Sequence, residues 1–139
     1  MSRTTRMIAT GKMPILKSTS IYYNTPKAFY DQLNLEFHFD FDPCPSNPIF
    51  DGLSCEWGYS NYVNPPYGKD IPSWLIKGCK ELIKGKTSTF LLPAYTDVKW
   101  FHDLVLPFAS EIRFIKGRLH FNDSKNTAPF ASMIVVFKP

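Results

Sequence analysis

The segment Asn64-Pro65-Pro66-Tyr67 brings together residue types that can do chemistry on a planar amino group. An aromatic amino nitrogen such as that of adenine is a poor nucleophile, because its lone pair is delocalised into the ring. A carboxamide oxygen and a backbone carbonyl can each accept one N–H bond from it. Asn64 supplies the first acceptor, and Pro65 supplies the second, since a proline carbonyl stays available while the ring fixes the backbone. Two acceptors favour a pyramidal nitrogen and stabilise the charge that develops as it attacks an electrophilic methyl group. Tyr67 adds a ring face on which a base can stack. A base inside a duplex must flip out to reach such a site, at a cost of a few kcal/mol that stacking at ~1–3 kcal/mol helps offset.

The flanking sequence predicts the elements that carry this loop. Tyr59 to Val63 reads as a short strand running straight into it, and the two prolines stop any ladder or helix. Upstream, Thr25-Pro26 predicts a helix over 26–35, with threonine as cap and proline in the first helical position. Glu36 to Asp42 alternates, with Phe37, Phe39 and Phe41 on one side, and reads as a strand ending at Asp42-Pro43. Residues 43–59 have the proline, asparagine and glycine content of a loop, anchored by Trp57. Downstream, Ile71, Trp74, Leu75, Gly78, Cys79 and Leu82 fall on one helical face, with Lys77, Lys80, Glu81 and Lys84 on the other and Gly85 as the stop.

Ser88 to Leu92 predicts a strand ending at Pro93, and Asp97 to Leu106 a helix closed by Pro107. Strands follow at Ile112–Ile115, Leu119–Phe121 and Met133–Phe137. Alternating strands and helices imply an open α/β sheet, mostly parallel, with an antiparallel hairpin at its C-terminal edge. Ligands in such sheets sit beyond the carboxyl ends of the strands. Asp42-Pro43, Asn64 to Tyr67 and Pro93 to Asp97 are therefore expected on one rim.

Composition narrows the class. The chain has 139 residues, a single-domain length, and is 44% hydrophobic, enough to bury a core. The net charge of +4 comes from Arg3, Arg6, Lys12 and Lys17, because the 12 later basic residues are matched by 12 acidic ones. We divide the chain into a basic arm over 1–20, able to attach to phosphates, and one domain over 21–139. Cys44, Cys55 and Cys79 have no disulfide or zinc spacing, and His38, His102 and His120 are scattered, so no metal site is expected. The sequence shows no secretory h-region and no membrane-length apolar run, which suits a cytoplasmic protein.

Taken in order, several segments resemble the phage-type DNA N6-adenine methyltransferase (Dam-like) family. They are Thr25-Pro26 with Phe29, the strand ending at Asp42, Asn64-Pro65-Pro66-Tyr67 before Trp74, Leu91-Leu92-Pro93-Ala94 with Thr96-Asp97 and Trp100-Phe101, Glu111 to Phe121 with Gly117-Arg118-Leu119, and Ala128-Pro129-Phe130 with Ser132-Met133. The resemblance covers about residues 22–137. It implies a compact Rossmann-like methyltransferase sheet that uses S-adenosylmethionine, yields S-adenosylhomocysteine and needs no metal. It also implies DNA as partner, with protection from restriction in a phage or prophage setting as a natural use. By position, Asn64, Pro65, Pro66 and Tyr67 would hold the target base. Tyr23, Thr25, Pro26, Asp42, Pro43 and Asn64 would line the cofactor pocket, with Asp42 facing the methionine ammonium or an adjacent water. Arg3, Arg6, Asp97, Lys116 and Arg118 are candidates for DNA contacts.

The sequence departs from the pattern in three ways. Asp42-Pro43-Cys44-Pro45 stands where a Gly-x-Gly turn would allow close approach to the cofactor. Some usual strand–helix units are missing, so no acid is identifiable by position as the ribose-binding one, and Asp51 or Glu56 are named as candidates. No target-recognition domain is evident, so specificity falls to short loops, the arm or a second subunit such as a homodimer partner. Two rival readings stay open: an amino-methyltransferase acting on cytosine N4, RNA or a glutamine amide, and a non-catalytic fold that binds DNA or a partner.

Overall fold

A computed structural model describes residues 23–139. At its centre lies a four-stranded mixed sheet built from β1 (Ser60–Val63), β2 (Thr87–Pro93), β3 (Glu111–Phe114) and β4 (Ser132–Phe137), in the order β1-β2-β4-β3. β1 pairs parallel with β2, while β4 pairs antiparallel with both β2 and β3. Three strands thus share one direction, and β4 is the reversed one. The expected antiparallel hairpin is present, but its reversed strand lies inside the sheet and β3 forms the edge. One parallel and two antiparallel strand pairings replace the mostly parallel sheet expected from the sequence.

All six residues of β4 and all of β2 after Thr87 are buried, which explains their near-continuous apolar runs. Their side chains alternate between two cores. Val63, Phe90, Leu92, Met133, Val135 and Phe137 meet Ile71, Trp74 and Leu75 of α2 (Ile71–Ile83). Tyr62, Leu91, Ile134 and Val136 meet Leu33 of α1 (Lys27–Phe37), together with Phe121 and Ala128. Gly78 lets α2 sit close to the sheet, because a Cβ there would lie 2.5 Å from Phe90 Cζ.

The sequence-predicted strand over 36–42 is largely absent. Glu36 and Phe37 complete α1, and His38 caps the helix in the left-handed region at φ 51°. Only Phe41 bridges the sheet, parallel to Asn61. The three phenylalanines do not share a side: Phe37 and Phe39 pack on the α1 core and Phe41 on the α2 core. Alternation over so short a stretch also fits the last turn of a helix, and here helix propagation won.

Three further expectations change. Asp97–Leu106 is not an α-helix; a five-residue π-helical turn spans Phe101–Val105, closed by Leu106 N–H donating to Phe101 O at 2.9 Å. The strand expected over Leu119–Phe121 does not form, and Phe121–Asp123 is a distorted 3₁₀ turn with Asn122 at φ 62°. Glu81, expected on the solvent face of α2, is fully buried. The reason is the 43–59 segment, which folds back over that face. Trp57 anchors it as expected, stacked on Trp74 and donating Nε1–H to Gly52 O at 2.7 Å.

Candidate active site

The parallel pairings of Phe41 with Asn61 and of Val63 with Phe90 bring three loop starts to one rim. Asp42, Asn64 to Tyr67 and the residues after Pro93 all leave the sheet there, as the topology required. Two cavities open along this rim.

The first, of about 370 Å³, is lined by residues that include Thr25, Lys27, Tyr30, Asp42, Tyr62 and Asn64. Thr25, Asp42 and Asn64 were expected there; Tyr30 and Tyr62 were not singled out, since an aromatic on an apolar face reads as core. Asp42 Oδ1 accepts the Cys44 N–H at 2.9 Å, which makes the turn that glycines were expected to make. The close backbone approach is displaced to Gly52, where a Cβ would lie 1.8 Å from Pro43 O. Thr25 is not the helix cap: α1 begins from Pro26 with no side-chain cap bond, and the Thr25 hydroxyl bonds the Tyr62 phenol instead. Burial, followed by the nearby Asp42 carboxylate, raises the pKa of both Tyr30 and Tyr62 above that of a free phenol, so both are neutral donors and acceptors.

The second cavity, of about 320 Å³, is lined by Tyr23, Tyr67, Gly68, Pro93, Tyr95, Pro129 and Phe130. Tyr23, expected at the cofactor, lines this one. Its ring stacks on Tyr67 at 5.2 Å and 25°, and Phe130 meets both rings edge-on at 5.3 Å. Burial raises the Tyr67 phenol well above its ordinary pKa, and its hydroxyl reaches Leu91 O only at 3.4 Å. The result is an aromatic slot with little polar lining, a shape that takes a flat ring.

Asn64 lines the first cavity and is tied by a hydrogen bond to Tyr23 of the second. Its Nδ2 donates to Tyr23 O at 2.5 Å and to Thr25 Oγ1 at 3.4 Å. The Tyr23 carbonyl can only accept, which favours the orientation that turns Nδ2 towards it. Asn64 Oδ1 is left buried with no hydrogen-bond partner among the described residues. An unpaired buried acceptor costs about 1–3 kcal/mol. Pro65 and Pro66 are buried behind it.

The remaining expected residues are less gathered. Pro26 starts α1, and Pro43 packs under Gly52. Asp97 and Lys116 are exposed, and Arg118 Nη1 donates to Ala128 O at 3.3 Å, beside the slot's Pro129. Arg3 and Arg6, with the whole 1–20 arm, lie outside the described residues. Of the two ribose-acid candidates, Glu56 is committed to Lys84 and Lys86 at 3.0 and 2.6 Å, and Asp51 to Ser54 and the Leu53 N–H. No cluster of metal-ligating side chains exists among the described residues, and none of their helices is long and apolar enough to cross a membrane.

A mixed sheet with one reversed strand, helices on both faces and ligand cavities at the carboxyl rim is consistent with a truncated methyltransferase fold. The family model for DNA N-6-adenine-methyltransferase (Dam) matches residues 13–139, and the chain belongs to that family. Comparison with curated proteins found no match. Family membership implies S-adenosylmethionine as methyl donor and DNA as substrate.

Proposed function

We propose that this protein transfers a methyl group from S-adenosylmethionine to N6 of an adenine flipped out of DNA. The observation that carries the reading is the buried, unpartnered Oδ1 of Asn64, a residue that lines the first cavity and is hydrogen-bonded to Tyr23, which lines the second.

The first cavity fits the methyl donor. Its volume of about 370 Å³ lies in the range of small-molecule sites, about 300–1,000 Å³. Asp42 offers a carboxylate for the donor's ammonium, Lys27 an ammonium for its carboxylate, and Tyr30 a ring for its nucleoside. When bound, S-adenosylmethionine supplies an electrophilic methyl group. The second cavity would take the base, with Tyr67 and Phe130 as walls and Tyr95 at the mouth. Entry requires the Tyr23 ring to leave the face of Tyr67. Asn64 Oδ1 and the Pro65 carbonyl would then each accept one N–H hydrogen bond from the amino group, the nitrogen lone pair would turn towards the first cavity, and the proton that N6 loses on methylation would pass to water. Lys116 and Arg118 would hold the DNA backbone, joined by Arg3 and Arg6 from the arm.

The test is labelled methyl transfer to unmethylated DNA, followed by digestion to nucleosides. N6-methyldeoxyadenosine is the expected product. N4-methyldeoxycytidine would replace adenine by cytosine as the target, and absence of transfer together with absence of cofactor binding would favour the non-catalytic reading.

A further inference from the structure

A carboxamide is nearly symmetric in shape, so something must decide which end of Asn64 faces the substrate. The Tyr23 carbonyl accepts from Nδ2 at 2.5 Å, and Thr25 Oγ1 accepts from it at 3.4 Å. A carbonyl can only accept, but a threonine hydroxyl can accept or donate. With its proton free, Thr25 could donate to the amide oxygen and hold Asn64 the other way round. The Thr25 hydroxyl is hydrogen-bonded to the Tyr62 phenol, a pair in which either oxygen can donate; when Thr25 is the donor, its proton is no longer available to Asn64. Tyr62 is 3% exposed and stands on β1, two residues before Asn64.

We propose that Thr25 and Tyr62 are positioning residues that, together with the Tyr23 carbonyl, set the polarity of the site. Thr25 donates its proton to the Tyr62 oxygen and turns a lone pair to Asn64 Nδ2. That leaves Asn64 Oδ1 as the end offered to the substrate. The site then accepts a base bearing an amino group at the reacting position and rejects one bearing a carbonyl. Thr25 is available for this task because it makes no cap bond to α1. The inference rests on the reading of Asn64 as the residue that holds the target amino group, and adds how its orientation is enforced.

The test compares Thr25→Val, Thr25→Ser and Tyr62→Phe with the wild type, each shown to be folded by circular dichroism. Three quantities are read: kcat and KM on unmethylated DNA, relative affinity for matched DNA carrying adenine or hypoxanthine, and solvent exchange of the Asn64 side-chain amide protons in the free protein by NMR. The amide signals are assigned by their loss in Asn64→Ala. Thr25→Val and Tyr62→Phe are expected to lower kcat about 10- to 100-fold, the scale of a small misplacement at a reacting centre, with KM little changed. The preference for adenine over hypoxanthine should shrink, and the Asn64 amide protons should exchange faster. Thr25→Ser should preserve all three.

Unchanged amide exchange and unchanged base preference in Thr25→Val and Tyr62→Phe would overturn the proposal. So would a loss of cofactor affinity with kcat intact, which would make Thr25 a cofactor ligand only. The amide readout separates the two claims. Faster exchange in Thr25→Val alongside a wild type that methylates no DNA would uphold the positioning role and reject the proposed substrate. Methylation by the wild type with unaffected amide exchange would do the reverse.

Discussion

Glu81 offers a prediction whose size can be worked from the structure. Its side chain is fully buried, yet it holds Lys77 at 2.8 Å and Lys84 and Lys86 at 3.2 Å, and accepts the Trp57 N–H at 3.3 Å. Burial alone would raise its pKa, but the hydrogen bonds from Lys77, Lys86 and Lys84 outweigh burial and hold it at about 2, against an ordinary value of 4.5. At about 1.4 kcal/mol per unit, the carboxylate contributes about 3 kcal/mol to the folded state. A depressed folded-state pKa means that this stability is present in full above pH 4.5 and is lost as pH falls towards about 2. Glu81→Gln keeps the shape and removes the charge, so it should cost about 3 kcal/mol at pH 7. Urea unfolding followed by tryptophan fluorescence reads this directly, since Trp57 lies against the network. The gap between the two midpoints should be widest at neutral pH and narrow as the pH falls below 4.5. A gap that stays constant from neutral to acid, or no gap at all, would refute the argument.

Other expectations concern the loops that shape the site. Gly52→Ala drives a Cβ to 1.8 Å from Pro43 O and 2.8 Å from the Trp74 ring; it should cost at least about 1–3 kcal/mol in a thermal melt and weaken S-adenosylmethionine binding by calorimetry, since Cys44 to Ser46 line the first cavity. Thr89 Oγ1 is buried in β2 with no partner among the described residues, so Thr89→Val should match or exceed wild-type stability, by up to about 1 kcal/mol in urea. Tyr67→Phe should bind DNA almost as the wild type does, because its hydroxyl makes only the long bond to Leu91, whereas Tyr67→Ala should lose about 1–3 kcal/mol of stacking, roughly 5- to 150-fold in affinity. Equal affinity of the alanine and phenylalanine variants would remove Tyr67 from the base slot.

Much of this arrangement was legible in the sequence because its signals are local. Pro65 and Pro66 after the short Tyr59–Val63 segment fixed the end of β1, and the spacing of Ile71, Trp74, Leu75 and Gly78 fixed the buried face of α2. The rim location of Asp42 and Asn64 followed from chain direction alone. What escaped depends on contacts distant in sequence. Glu81 is buried because a loop more than twenty residues upstream folds over it, and nothing in the helix itself marks that. Thr25-Pro26 carried the pattern of a helix cap, but the Thr25 hydroxyl found Tyr62 instead. The reversed strand lay inside the sheet rather than at its edge because pairing order is set by the connection from residue 115 to 131, which has no regular period. Tyr23, Tyr95, Phe121 and Phe130 form the aromatic set around Tyr67 only after the chain has folded.

The central claim is that Asn64 holds the target amino group through its unpartnered oxygen. Single-turnover methyl transfer to unmethylated DNA, comparing wild type with Asn64→Ala at saturating S-adenosylmethionine, tests it most directly. Removing one preorganised partner of a developing charge costs about 10²–10³-fold in rate, so the variant should bind cofactor and DNA yet transfer methyl at least about 100-fold more slowly. Equal rates for the two proteins would contradict the account.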